Sequence, residues 1–321
     1  MQGNPMQILV TGAAGFIGRS LCPQAQRQGH RLIALARAWP DGDAYPGADH
    51  LAADVLRPLD DALAGHRPDA VIHLAARAHR LHDTAADPLA EFRRVNRDAT
   101  LALAGWAATA GVRRFVYVSS IGVNGNATRP GAPFTEDSPP APHDPYAVSK
   151  HEAELGLREL AAQTGMELCI VRPPLVYGPA APGNFGRLVR LLDAGLPLPL
   201  GAIDNRRSFI YVENLGDALL RCATEPAAAG QTFLVSDGRS VSTPELLGMM
   251  GRATGRRVRL LCVPPRLMRA PLALLGKAGV LDKLAASLEV DDAHIRRTLA
   301  WRPAVEMEDA LARTLAAPAA R

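Results

Sequence analysis

Cysteine is scarce in this chain: four residues among 321, Cys22, Cys169, Cys222 and Cys262, far apart and with no paired spacing. Disulfide frameworks and thiolate metal sites need clustered or regularly spaced cysteines, so reduced thiols are expected instead. Aromatic residues make up 5%, and the arginines come as scattered pairs such as Arg93-Arg94 and Arg256-Arg257. A nucleic-acid surface needs a basic block with interleaved aromatics, so the net charge of +4 points to no nucleic acid, while small phosphate-bearing ligands remain compatible. No apolar run is long enough to span a bilayer; the most apolar late segment, Ala270 to Leu281, is short and contains Lys277. Met1 to Pro5 reads as a polar leader without a secretory signal, and a cytoplasmic protein is expected. Nine histidines include His79 and His82, which form no ligand set, so no metal is expected.

What is present is a soluble, globular composition: 48% hydrophobic, with a length that suits one elaborated domain or two smaller ones. Apolar strands are expected at Gln7 to Thr11, Arg31 to Ala36, His50 to Asp54, Asp69 to Ala75, Arg114 to Ser120 and Met166 to Pro173. Helical patterns alternate with them, including a long one from about Pro88 to Gly111 and another from Pro145 to Gly165. Near-continuous apolar strands between amphipathic helices indicate an α/β fold with a doubly wound parallel sheet covered on both faces. The proline-rich stretch from Gly125 to Pro145 is a long loop, expected to rim a site. Beyond Pro173 the alternation breaks down. Arg207 to Val212 and Phe233 to Asp237 read as further strands, and the remainder as helices with one strand at Arg257 to Pro264. Residues 6–174 plus about 207–238 are expected to form the main domain, and about 175–206 plus 239–315 a smaller, mostly helical substrate lobe.

Thr11-Gly-Ala-Ala-Gly-Phe-Ile-Gly18 places Gly12, Gly15 and Gly18 at the first strand-to-helix turn, with Phe16 and Ile17 opening the helix. Glycines there allow a tight turn and close approach of a pyrophosphate to free helix N–H groups. The second strand ends Leu35-Ala36-Arg37, with no carboxylate to hold a ribose 2′-hydroxyl. Arg37 is either a partner for the 2′-phosphate of NADP or a surface arginine, so NADP or dual use with NAD is expected.

Tyr146 and Lys150 are i and i+4 neighbours if their segment is helical. A free phenol titrates near pH ~10, and an adjacent ammonium is expected to lower that value toward the working range.

These residues together resemble the extended short-chain dehydrogenases/reductases, the nucleotide-sugar epimerase/dehydratase group. The likeness rests on the glycine loop, Ala53-Asp54, Val71-Ile-His-Leu-Ala-Ala76, Val118-Ser-Ser120 and Tyr146-x-x-x-Lys150, over residues 6 to 312. The resemblance implies a Rossmann-type domain holding NAD or NADP. It implies that Tyr146 moves the proton at the reacting oxygen, that Lys150 tunes it and holds the nicotinamide ribose, and that Ser120, or Ser119 as the alternative, hydrogen-bonds the same oxygen. Asp54 and Val55 match the adenine contact, His73 to Ala76, including Leu74, Ala75 and Ala76, the wall along the cofactor, and Pro173 a further cofactor contact. Asn96 matches a frequent active-site asparagine or a buried structural amide. A homodimer pairing the two long helices is implied as well; Ala102, Ala104, Ala107 and Ala108 suit such packing or an internal core equally.

For substrate, the resemblance implies that Asn184 and Arg207 grip the diphosphate of a UDP-sugar, Arg207 being alternatively a structural ion-pair partner. Three features depart from UDP-galactose 4-epimerases: Ala36-Arg37 replaces the acidic selector, Leu175 stands where an asparagine is usual, and the late arginine-x-x-aspartate is not recognisable around Leu284 to Asp292. Leu196-Pro-Leu-Pro-Leu-Gly-Ala-Ile203 resembles a bacterial O-antigen branch that includes 4-keto-6-deoxy-N-acetylhexosamine reductases. A 4-epimerase or 4-ketoreductase of UDP-linked hexoses or N-acetylhexosamines in surface-polysaccharide synthesis is therefore expected. A reductase of sterol- or dihydroflavonol-like compounds and a non-catalytic dinucleotide sensor are the alternatives.

Overall fold

Short β-branched and leucine-rich runs pair in parallel because helical crossovers separate them. A computed structural model describes residues 5–316 apart from 40–43, 79–85, 183–184, 186–187, 190–191, 193–194 and 275–283. Strands β1 (Gln7–Thr11), β2 (Arg31–Ala36), β3 (Asp49–Ala52), β4 (Ala70–His73), β5 (Arg114–Val118), β6 (Glu167–Arg172) and β9 (Thr232–Leu234) form one sheet in the order β3-β2-β1-β4-β5-β6-β9. The neighbours pair in parallel, with Leu9 level with both Ile33 and Val71. Alternate residues serve the two faces. Ile8, Val10, Ile72, Val116 and Val171 pack on one side against α1 (Phe16–Arg27) and α5 (Val212–Thr224). Leu9, Ile33, Val71, Phe115 and Ile170 pack on the other against α3 (Ala99–Thr109) and α4 (Pro145–Thr164).

The long helix expected from Pro88 to Gly111 is interrupted. Helix α2 (Pro88–Arg93), with Asp87 accepting from Ala90 N at its start, passes into a π turn over Arg94–Asp98 before α3. The turn carries Asn96, whose side chain is fully buried. Helix α4 is capped at its start by Asp144, which accepts from Ala147 N at 2.7 Å, and at its end by Gly165 in the left-handed conformation, φ +74°. The α3 and α4 helices approach so closely that a β-carbon on Gly156 would lie 2.8 Å from Leu101.

A second sheet joins β7 (Leu175–Tyr177), β8 (Arg207–Tyr211) and β10 (Ser240–Val241) in the order β10-β8-β7. Asp237 ties it to the main sheet: it accepts from Tyr177 Oη at 2.8 Å, Asn214 Nδ2 at 2.8 Å and Tyr211 N at 3.0 Å. That turn ends β9 at Leu234, short of the expected Asp237. The strand expected at Arg257 to Pro264 is reduced to one bridge, Leu198 to Leu260. Prolines in both segments (Pro197, Pro199, Pro264 and Pro265) remove the donors a longer ladder needs. Helices α6 (Thr243–Ala253), α7 (Pro265–Leu274), α8 (Ala293–Leu299) and α9 (Met307–Ala316) complete the chain. The proline-rich loop lies along residues 287–291, with Phe134 N donating to Glu289 O at 2.9 Å and Asp291 N to Phe134 O at 2.9 Å. No helix among the described residues is long and apolar enough to cross a membrane.

Candidate active site

At the carboxyl ends of β1, β4 and β5 three elements converge. Gly12 has φ +70°, and a β-carbon there would stand 2.9 Å from Ala75 N. At Gly18 it would stand 2.4 Å from Ala13 O, so the helix packs on the turn only because both positions are bare. Gly15 caps α1 without a side chain, leaving the first-turn N–H groups of the helix available to an anion. Phe16 and Ile17 pack against the cluster of Tyr177 and Val212. These are the dimensions and donors a dinucleotide pyrophosphate requires, and the residues present fit it.

Beneath this cradle runs a buried polar column. Thr11 Oγ1 lies 2.6 Å from His73 Nδ1, His73 Nε2 lies 2.9 Å from Thr100 Oγ1, and Thr100 donates to Asn96 O at 2.8 Å. Thr100 gives its proton away, so His73 Nε2 is the donor to it, and Nδ1 accepts from Thr11. The ring is thereby neutral. Burial, and next the charge of Lys150, push the imidazole down to about 3. Such a histidine adds stability that is complete above about pH 6.5 and is lost as pH falls toward 3. Urea unfolding between pH 6.5 and 4 is therefore expected to show a steeper loss than in His73→Gln, by up to about 1.4 kcal/mol per pH unit. Equal slopes in the two proteins would refute the neutral assignment.

Asn96 accepts from Arg77 N at 2.8 Å and donates to Arg77 O at 3.1 Å and to Ser149 Oγ at 3.0 Å. Its amide thus ties the β4 loop to α4. Leu74 N donates to Thr11 O and Ala75 N to Thr11 Oγ1, which pins the same loop beside the glycine turn, with Ala76 exposed beyond it.

Ser120 follows β5, and its hydroxyl accepts from Gly122 N at 3.1 Å. Tyr146 stands edge-on to Phe92, with ring centroids 6.0 Å apart. Its phenol is pushed up to about 12, mainly by burial, with the Ser120 hydrogen bond opposing and Asp144 adding to the rise. This is opposite to the lowering expected from the Tyr-x-x-x-Lys spacing. Lys150 is 2% exposed, donates to Val118 O at 2.8 Å and lies 4.6 Å over the Tyr117 ring. Burial brings its ammonium down to about 7, against the pull of Glu154. The phenol is held protonated, while the lysine sits near its titration point at neutral pH.

One turn beyond Lys150 comes Glu154, 1% exposed, which accepts from Arg172 Nε at 2.9 Å and from Ser119 Oγ at 2.5 Å. Arg172 also donates to Asn124 Oδ1 at 3.1 Å. The Ser119 hydroxyl is therefore committed to Glu154. Sequence reasoning missed Glu154 and Arg172. The signal available was the extension of the helical face, Tyr146, Lys150, Glu154, with a carboxylate that has to be paired if buried.

The remaining predicted positions follow the carboxyl ends of β2, β3 and β6 or lie in the second sheet. Arg37 is exposed at the end of β2. Asp54 accepts from Leu56 N at 3.0 Å, closing its own turn beside the buried Val55. Pro173 O accepts from Ile121 N, just beyond Ser120. Arg207 donates to Ala286 O at 3.0 Å, and burial lowers its guanidinium. Asn184 lies outside the described residues, as do His79 and His82.

Comparison with known proteins reaches the same family. The pattern of the NAD dependent epimerase/dehydratase family matches residues 8–236. The chain belongs to that family. A UDP-glucose 4-epimerase of Vibrio cholerae is 38% identical over 313 residues, covering 97% of this chain and 94% of the relative. Among solved structures, a UDP-glucose 4-epimerase of Thermotoga maritima with UDP-glucose superposes with TM-score 0.78 at 24% identity, covering 97% of each chain. A dTDP-glucose 4,6-dehydratase of Streptomyces venezuelae with NAD and TYD superposes with TM-score 0.76 at 27% identity, covering 97% of this chain and 96% of that one. Family membership makes the chain an enzyme that uses a nicotinamide dinucleotide.

Proposed function

We propose that the chain is an NAD(P)-dependent enzyme acting at C4 of a UDP-linked hexose or N-acetylhexosamine, with Ser120, Tyr146 and Lys150 as its catalytic residues. The observation that carries this reading is the buried Lys150, held by Val118 O at 2.8 Å at the end of β5 and one helical turn from Tyr146, with Ser120 following the same strand. The dinucleotide, when bound, supplies hydride transfer to and from carbon. Gly12, Gly15 and Gly18 with the N–H groups at Phe16 and Ile17 would hold its pyrophosphate, Asp54 and Val55 its adenine end, and Leu74 to Ala76 and Pro173 its flank. Tyr146, protonated, donates to a ketone oxygen as it becomes a hydroxyl. In the reverse direction the Tyr146 phenolate left by that donation takes the proton back, favoured by cationic charge on Lys150. Ser120 orients the reacting oxygen toward the phenol, and Asn96 acts behind them by positioning the β4 loop. Arg207 and Asn184 are proposed to hold the nucleoside diphosphate.

Between the two reactions, 4-epimerisation is favoured by the 38% identical relative. The 4-ketoreductase reading keeps one specific support: Arg37 stands where an acidic selector for NAD would be, and suits NADP. A role in surface-polysaccharide synthesis in the cytoplasm is part of the proposal, as is division into the two lobes stated above. So is a homodimer through α3 and α4, on whose outer faces Ala102 and Leu155 are exposed while Ala104 and Ala107 serve the internal core.

Denaturing the purified protein and identifying the released cofactor, then assaying UDP-glucose and UDP-N-acetylglucosamine, tests the proposal. Retained NAD(H) and sugar interconversion without added cofactor is the expected result. Stoichiometric consumption of NADPH or NADH by a 4-keto sugar would replace epimerase by reductase. No turnover of any UDP-sugar would sink both.

A further inference from the structure

An ion pair as buried as Glu154–Arg172 gives little net stability, because desolvating both charges offsets most of their attraction. Its placement offers another reason for it. Glu154 Oε1 accepts from Ser119 Oγ at 2.5 Å and from Arg172 Nε at 2.9 Å, and Oε2 accepts from Arg172 Nη2. Arg172 Nη1 donates to Asn124 Oδ1 at 3.1 Å, and Asn124 Nδ2 donates in turn to Thr135 O at 3.1 Å in the proline-rich loop. Ser119 and Asn124 bracket the short 3-10 turn Ile121–Val123, which Ser120 caps through its own hydroxyl. One ion pair therefore holds both ends of the segment that carries Ser120.

The same carboxylate bears on Lys150. Lys150 and Glu154 stand one turn apart on α4 and grip consecutive residues at the end of β5: the ammonium holds Val118 O at 2.8 Å, and the carboxylate holds the Ser119 hydroxyl. Both side chains are buried, so the charge of one is poorly screened at the other. Around Lys150, His73 on β4 is neutral, and Tyr117 on β5 and Tyr146 on α4 are held protonated by burial. Arg172 on β6 is turned to Glu154 and Asn124. Against burial, which lowers the ammonium, the Glu154 carboxylate is the group that pulls it up.

We propose that Glu154 is a positioning residue of the catalytic site, holding the Ser120 turn through Ser119 and Arg172 and keeping a negative charge one helical turn from the Lys150 ammonium. The inference rests on the roles proposed above for Ser120, Tyr146 and Lys150. In that reaction a cationic Lys150 favours the Tyr146 phenolate, so loss of the Glu154 charge costs turnover at neutral pH and costs less at lower pH, where the lysine is protonated again.

Lysine titration tests the charge coupling without any sugar substrate. The chain has three lysines, Lys150, Lys277 and Lys283, so carbon-13 labelling of the lysine ε-carbons gives three signals, and the one absent from Lys150→Met belongs to Lys150. In the purified native protein its midpoint is expected at about 7. In Glu154→Leu/Arg172→Met the midpoint is expected to be lower by about one pH unit or more, which leaves about fivefold less ammonium at pH 7. Two apolar side chains in place of the pair keep the fold stable. Thermal unfolding is then close to native while kcat with UDP-glucose at pH 7 falls about tenfold or more, KM changes by less than about threefold, and part of the loss is regained at pH 6. Glu154→Gln, which keeps the shape and an acceptor for Ser119, is expected to show the same lowered midpoint and gives the answer should the double variant not fold. An unchanged Lys150 midpoint in both variants overturns the inference. So does a double variant whose turnover returns to the native value together with its stability, since the pair would then be structural alone. A native chain that turns over no UDP-sugar removes the proposed reaction instead, and the titration by itself then decides the inference.

Discussion

Tyr146→Phe is expected to leave the protein folded and able to retain its dinucleotide, and to lower turnover by about 10²–10⁴-fold. The substitution removes one oxygen and keeps the ring, whose edge-on packing with Phe92 at 6.0 Å does not involve the hydroxyl. Lys150 does not depend on the phenol for its position, since it is held by Val118 O at 2.8 Å and by the Tyr117 ring. What is lost is the group that can pass a proton to an oxygen. A variant that binds cofactor normally but turns over UDP-sugar at the native rate would remove Tyr146 from the proposed mechanism. Single-turnover measurements with the bound cofactor separate this from slow product release.

The second large effect is on stability. Arg172→Met is expected to destabilise the protein by about 3–5 kcal/mol, because it strands Glu154, 1% exposed, without its charged partner. In a chain of this size that corresponds to a fall in Tm on the order of 10 °C. The double variant Arg172→Met/Glu154→Leu is expected to recover most of the loss, since two apolar side chains replace a desolvated ion pair of similar volume. Ser119 loses its acceptor in the double variant, so recovery is incomplete. Differential scanning calorimetry of the single and double variants decides the matter. A single variant as stable as the native protein would show that the pair contributes little. The pair also binds Ser119 and Asn124, on either side of Ser120 in the chain.

The main sheet was legible because its strands are nearly all apolar and its helices periodic; β1 and β2 lie where the residue pattern put them, and α4 starts at Pro145 behind an aspartate cap. Boundaries drifted where a side chain intervened. Asp237 captures Tyr211 N and turns the chain away from β9. The π turn at Arg94–Asp98 left no mark, because a single extra residue per turn does not interrupt the helical pattern on either side of it. The chain beyond Pro173 was read less well: β7 and β10 are three and two residues long, too short for periodicity to register.

By itself the sequence determined the parallel α/β sheet, the glycine turn and the Tyr-x-x-x-Lys pair, since each depends on near neighbours: strand alternation, bare backbone at a turn, helical spacing. Only the tertiary structure decided which polar groups are desolvated and with whom. It made His73 neutral between two threonines, paired Glu154 with Arg172 behind the site, and raised the Tyr146 phenol where the spacing had suggested a lowering. Those outcomes depend on burial by segments distant in the chain, which residue spacing along one helix does not report.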